Sequence, residues 1–293
     1  MLFFLGVVAC GPVSYKIALP GEMMNVCSGR FDCVIAASFL FLTTLSLSSP
    51  PKKIPKHLRT DYTLGGKIPV RHRYMDQSYS PAKPRVYTKE TIDTYVAMAE
   101  RNGALCYGMT NKFLYSALKD FPVKEKSVAV LGSTKPWYES IVLSRGGRPV
   151  TIEYNKIVSQ DPHLEVMTVE EYKAEPRRFD ALVSISSFEH DGLGRYGDPI
   201  DPFGDLKAME RCKSMLNPGG VLFLAVPVGP DCLVWNAHRI YGVQRMKRLL
   251  SGWRVLGYYG KGKSFMQDVN RQALGVQTYQ PVFVLTPEEG SEA

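Results

Sequence analysis

Residues 179–229 constrain the fold more than any other part of this chain: FDALVSISSFEHDGLGRYGDPIDPFGDLKAMERCKSMLNPGGVLFLAVPVG. Residues 181–185 form an apolar, β-rich run entered from Asp180, the pattern of a strand buried on both faces of a parallel sheet. A polar, glycine-rich loop follows. From Pro202 the spacing becomes helical, with Leu206, Met209, Cys212, Met215 and Leu216 three or four apart on one face. Asn217-Pro218-Gly219-Gly220 should stop that helix, since proline cannot continue it and glycine accepts the left-handed conformation common just past a helix end. Residues 221–226 then read as a second buried strand. Strand, loop, helix, turn and strand make a right-handed βαβ crossover, and open α/β sheets bind ligands beyond the carboxyl ends of such strands. The site is therefore expected near residues 186–194 and 227–231.

The chain's 293 residues can hold one large α/β domain and an extension. The formal net charge of +8 is concentrated: residues 51–89 carry ten Lys and Arg against Asp61 and Asp76, which leaves the remainder neutral. Such a segment reads first as a solvated linker, with anionic lipid or nucleic acid as alternative contacts, and no nucleic-acid-binding motif accompanies it. The 6 cysteines are too scattered for a CxxC zinc or redox site, and Cys212 falls on an apolar helix face as a small core residue.

Residues 1–48 are apolar, with denser runs at 2–10 and 33–47. The second run is free of charge and suits a signal-anchor core; a cleaved signal is the alternative. More Lys and Arg follow it than precede it, which predicts a single-pass membrane protein with its C-terminal domain cytosolic, and otherwise a cytoplasmic one. Residues 49–86 read as a basic, proline-rich linker or irregular arm, and residues 87–293 as the folded domain.

Within that domain, helices are expected from Thr88 and over 111–119. A strand over 127–131 leads into the turn Gly132-Ser133-Thr134-Lys135-Pro136, a helix over 137–145 and a second strand over 148–154. Glu153 sits near that strand's carboxyl end, 21 residues after Gly132, where an acid accepts hydrogen bonds from ribose hydroxyls. A short third strand over 164–168, a basic helix over 239–250 with Ile240, Val243, Met246, Leu249 and Leu250 inward, a sixth strand over 253–259, a polar loop over 260–277 and a seventh strand over 278–285 complete the pattern. The fold class is α/β: a doubly wound, Rossmann-like, seven-stranded, mostly parallel sheet.

SVAVLG, TIEY, FDALVSISSFEH and LNPGGVLFLAVP together resemble the class I S-adenosylmethionine-dependent methyltransferases over roughly residues 123–287. EHDGLGRYGDPIDPFGD and WNAHRIYG resemble more closely a family of Caenorhabditis proteins of unknown function. The resemblance implies a methyltransferase-like fold with S-adenosylmethionine as cofactor, held by Gly132, Ser133, Glu153 and Ser186. The turn reads GSTKPW where a typical methyltransferase has GxGxG. Lys135 is unfavourable beside a sulfonium but can pair with the cofactor's carboxylate, and no clear acid follows the third strand for the adenine amine, Glu170 and Glu171 being the substitutes available.

Methyl transfer to a weak nucleophile needs a positioned proton acceptor, for which His190 and His238 are candidates. Arg195, Tyr196, Asn236, Arg239 and Tyr241 form a candidate subsite for a small or sugar-like acceptor, with a structural network around Asn236, Arg239 and Tyr241 as the alternative. A metal site from Asp198 and Asp201 competes with the backbone roles aspartate takes in turns. Two other readings stay open: a non-catalytic binding protein that kept the fold, supported by GSTKPW, and a Rossmann enzyme acting on a nucleotide or sugar.

Overall fold

The computed structural model describes residues 8–9, 14–19, 22–27, 49–76, 83–271 and 279–288. Two compact units result, Met1–Ser48 and Ser49–Ala293. The described part of the first is an antiparallel sheet of Val8–Ala9, Ser14–Leu19 and Glu22–Cys27. Residues 33–47, expected as a signal-anchor core, lie outside the described residues. No described helix is long and apolar enough to cross a membrane.

The second unit is built on a seven-stranded sheet: β1 Ser127–Leu131, β2 Arg148–Glu153, β3 Glu165–Thr168, β4 Phe179–Ile185, β5 Leu216–Ala225, β6 Trp253–Tyr259 and β7 Val282–Pro287. Their order is β6-β7-β5-β4-β1-β2-β3. β7 alone runs against its neighbours, pairing antiparallel with β5 and β6. This is the expected doubly wound, mostly parallel sheet. The crossover proline and glycines sit inside the start of β5, where Gly219 takes φ +77°.

Alternation along the strands feeds two cores, as a sheet covered on both faces requires. Val128 and Val130 of β1 face Ala99, Leu114, Leu118, Trp137 and Ile141. These come from α1 Lys89–Glu100, α2 Gly108–Asp120 and α3 Trp137–Ser144. Ala129 and Leu131 point the other way, into a cluster with Met209, Cys212, Met246 and Leu249. α4 Val169–Ala174, α5 Gly204–Met215 and α6 Val243–Leu249 cover that side, and α7 Phe265–Arg271 falls in the expected polar loop. Cys212 is 1% exposed, the core residue its spacing predicts. The strand order reverses between β1 and β4, which pair directly, so their carboxyl ends open a crevice.

Two expectations need correction. The segment read as a linker is packed: Ile54, Tyr62 and Ile68 are buried with Leu193, Leu233 and Trp235. Val70–His72 pairs in parallel with Cys232–Trp235, and Arg85–Tyr87 with Ile157–Ser159. Its apolar residues are few and lie among prolines and basic residues, and they bury against one another and against Leu193, Leu233 and Trp235 from distant parts of the chain. The helix expected over 239–250 covers Val243–Leu249 alone, and Val243 is exposed. His238–Ile240 instead folds back antiparallel on Cys232–Trp235.

Candidate functional site

A cavity of about 390 Å³ lies beyond the carboxyl ends of β1, β2 and β4. Gly132, Ser133 and Lys135 line one side, Glu153 and Tyr154 the floor, and Ser186, Glu189, His190, Arg195, Tyr196 and His238 the other. Gly132 makes the crevice narrow. With φ +74°, it lies so close to the loop after β4 that a Cβ there would sit 1.9 Å from Ser187 Oγ. Its N–H donates to Ile152 O at 3.1 Å, tying the turn to β2. Ser133 Oγ lies 2.8 Å from Lys135 O and 3.1 Å from Glu139 Oε2, while Thr151 Oγ1 donates to Glu139 Oε1 at 2.8 Å. Glu139 is fully buried, and burial pushes its carboxyl up to about 7 against the hydrogen bonds that favour ionisation. Sequence reading missed this support under the turn; a lone acid in the apolar helix WYESIVLS was its only signal.

Glu153 ends β2 with its carboxylate turned by its own backbone: Oε1 accepts from Tyr154 N at 3.1 Å and Asn155 N at 3.5 Å. Burial raises its pKa, opposed by the Asn155 amide and the charge of Arg85. After β3, Glu171 is used in a capping box with Thr168, and Glu170 lies 3.8 Å from Lys173 Nζ. Neither glutamate lines the cavity, so neither substitutes for the acid that would meet an adenine amine; Val169, Tyr172 and Lys173 line it there.

On the far wall Ser186 takes φ +55°, which lifts its hydroxyl off the end of β4. Gln280 Nε2 donates to Ser186 Oγ at 3.0 Å, Tyr107 Oη is 3.1 Å away, and the serine hydroxyl donates to Glu189 Oε1 at 2.6 Å. His190 Nδ1 is 2.7 Å from Ala237 O, so that nitrogen carries the proton. Burial first, then Arg195, pushes His190 down to about 3, and burial with Arg195 and Arg73 pushes His238 down to about 4. Both imidazoles are therefore neutral at physiological pH. Their rings lie 6.4 Å apart, and Tyr196 meets His190 edge-on at 5.4 Å. Arg195 donates to Ala237 O at 3.1 Å and covers the Tyr196 ring at 5.0 Å.

Of the expected acceptor subsite, only Arg195 and Tyr196 reach the cavity. Asn236 is buried and holds Met75 N and O at 2.8 and 2.9 Å and Leu193 O at 3.2 Å. Arg239 is buried, donating to Asp191 O at 2.6 Å, reaching Glu189 O, Asp201 O and Pro202 O, and placing Nε 3.5 Å from Asp205 Oδ2. Tyr241 is buried too, its hydroxyl donating to Asp205 Oδ2 at 2.9 Å. Alternation along His238–Ile240 accounts for Arg239 alone, turning it away from the cavity that His238 lines. Asp198 accepts Gly194 N and Tyr196 N, and Asp201 accepts Phe203 N and Lys207 Nζ, so each carboxylate holds its own loop.

A model of the family described as Caenorhabditis protein of unknown function, DUF268, matches residues 125–285. The chain belongs to this family. No curated protein matches it. Among solved structures, it is similar to a Burkholderia thailandensis 1,6-didemethyltoxoflavin-N1-methyltransferase with bound S-adenosylhomocysteine (TM-score 0.42, 11% identity, covering 97% of this chain and 99% of that one). A Clostridium acetobutylicum S-adenosylmethionine-dependent methyltransferase matches with TM-score 0.41 and 10% identity, covering 67% of this chain and 98% of that one. A ribosomal protein L11 methylase from Lactobacillus delbrueckii subsp. bulgaricus gives 0.39 and 10%, covering 63% and 81%.

This DUF268 chain has the class I methyltransferase-like fold: seven strands, a single antiparallel one, and the crevice at the β1/β4 switch. The residues present suit S-adenosylmethionine. Gly132 lets the first turn approach the opposite wall, and Glu153 stands at the end of β2 with acceptor oxygens for ribose hydroxyls. Lys135 lines the same cavity.

Proposed function

We propose that this protein is an S-adenosylmethionine-dependent methyltransferase acting on a small, polar, sugar-like acceptor. One observation carries the reading: Gly132, Ser133, Lys135 and Glu153 line the same cavity as Ser186, Glu189, His190, Arg195, Tyr196 and His238. The first group supplies the contacts a nucleoside with an amino-acid tail needs, and the second a polar, aromatic wall facing it. The cofactor supplies an electrophilic methyl group on a sulfonium. Glu153 accepts the ribose hydroxyls, and Lys135 pairs with the carboxylate. Arg195 and Tyr196 orient the acceptor, and the neutral His190, tied to Ala237 O, presents Nε2 as a hydrogen-bond acceptor. Positioning of this kind supplies most of the acceleration methyl transfer requires.

Calorimetric titration of S-adenosylmethionine and S-adenosylhomocysteine into the full chain tests this. Wild-type protein is expected to bind both saturably. Glu153→Ala should weaken both about a hundredfold, the ~3 kcal/mol of two hydrogen bonds to a charged group. An unchanged melting temperature in the variant would separate this loss from unfolding. Absence of binding to folded wild-type protein would overturn the proposal.

A further inference from the structure

We propose that Glu189 takes the proton of a hydroxyl acceptor and that Ser186 positions it. This rests on the methyltransferase reading above.

Glu189 is 0% exposed to solvent yet lines the cavity. Its two oxygens differ. Oε1 receives the Ser186 hydroxyl at 2.6 Å, whereas Oε2 is buried with no hydrogen-bond partner among the described residues. A buried carboxylate oxygen left unmatched is costly, so such atoms mark where a ligand donor completes the site. Ser186 cannot turn away, because Gln280 Nε2 donates to its Oγ and its backbone sits in the left-handed region. His190, one of the two sequence candidates, is the weaker base: burial and Arg195 push its imidazole down to about 3, and its Nε2 lies 3.6 Å from Glu189 Oε1.

The groups around Glu189 decide its charge. His190 and Ser186 face it from its own segment, Arg195 and Tyr196 from the following loop, and Arg239 and Tyr241 from the hairpin region. Tyr138 faces it from α3. Burial, opposed by the Ser186 hydrogen bond and the two arginines, brings its carboxyl to about 7, so it exchanges a proton near neutrality. Arg195 and Arg239 also disfavour a cationic acceptor, and a neutral hydroxyl is the acceptor that needs a base. In the step, that oxygen gives its proton to Glu189 Oε2 and bonds to the methyl carbon. The carbon–sulfur bond breaks with its electron pair on sulfur, leaving a methyl ether and a neutral thioether. Protonated Glu189 releases its proton to water as products leave.

A carboxylate that takes the acceptor's proton would lie close enough to the cofactor's sulfonium to couple with it at an effective dielectric of about 20. The test compares binding of S-adenosylmethionine and S-adenosylhomocysteine to the full chain between about pH 6 and about pH 8. Only the first carries the sulfonium, and both carry the same amino group. An ionised Glu189 attracts the sulfonium, so the preference for S-adenosylmethionine should rise about fivefold or more across that range. In Glu189→Gln the preference should be flat. In Ser186→Gly, whose new residue suits the φ, the midpoint should move to higher pH because a hydrogen bond to the carboxylate is lost. A preference independent of pH in wild-type protein that binds both ligands would overturn the assignment and leave the methyltransferase reading standing. Failure to bind either ligand would overturn both.

Discussion

Replacing Gly132 with alanine is expected to lower the melting temperature by about 10 °C and to abolish S-adenosylmethionine binding. The new methyl would lie 1.9 Å from Ser187 Oγ and 2.7 Å from Ser187 Cβ, with the backbone at φ +74°. Ser187 has little room to retreat, flanked by left-handed Ser186 and by Phe188 at 4% exposure. The left-handed conformation costs an alanine ~1–2 kcal/mol, and forcing the crevice apart adds ~1–3 kcal/mol. Gly219→Ala is the matched control. Its φ is +77°, but a Cβ would meet nothing within 4 Å, so only the backbone part should appear. Scanning calorimetry on the two variants checks the difference; equal shifts would show that the approach of the two loops does not matter.

Arg239→Met should destabilise the protein by about 3–5 kcal/mol, measured by urea unfolding. The guanidinium serves the carbonyls of Glu189, Asp191, Asp201 and Pro202 and faces Asp205, itself only 3% exposed. Removing it strands a buried carboxylate and several carbonyls together. Arg239→Lys should recover little of this, since a single ammonium cannot span partners that the planar fork reaches. Were Arg239 a ligand of the acceptor, the lysine variant would keep its stability and lose only binding.

These cases show what could be read from residues alone. β1 and β6 have the bounds that their apolar runs mark, and Gly132 and Glu153 meet in one cavity because turn and strand end are close in sequence. Arg239 was legible as important, with a binding role and a structural network both open. Its role depends on whether residues 238–250 wind or pair, and that is decided by Cys232–Trp235 and by Asp231. The Asp231 carboxylate accepts the amides of Gly242, Gln244 and Arg245 and so sets where α6 begins. Nothing in the helical spacing of the segment itself reports a cap supplied from outside it. Glu189 was hidden for a similar reason. Beside His190 in the sequence it is the less conspicuous base, and only tertiary burial exchanges their proton affinities.

The packing of the 49–76 arm governs how this protein assembles. Trp235 Nε1 donates to Pro51 O at 3.0 Å, Arg245 donates to Tyr62 O at 2.7 Å, and the Tyr62 hydroxyl donates to Gly192 O. Each contact closes a loop of well over a hundred residues, so it forms only after most of the sheet has brought its ends together. The hairpin that presents His238 and the Ala237 carbonyl thus gains its arm contacts across long loops, although its own two strands pair locally. On the ribosome, the first segment of this unit to emerge must wait for nearly the whole chain before it can dock. A nascent chain released before Arg245 would lack β6 and β7 as well as these contacts, so sheet and cavity would be unfinished together.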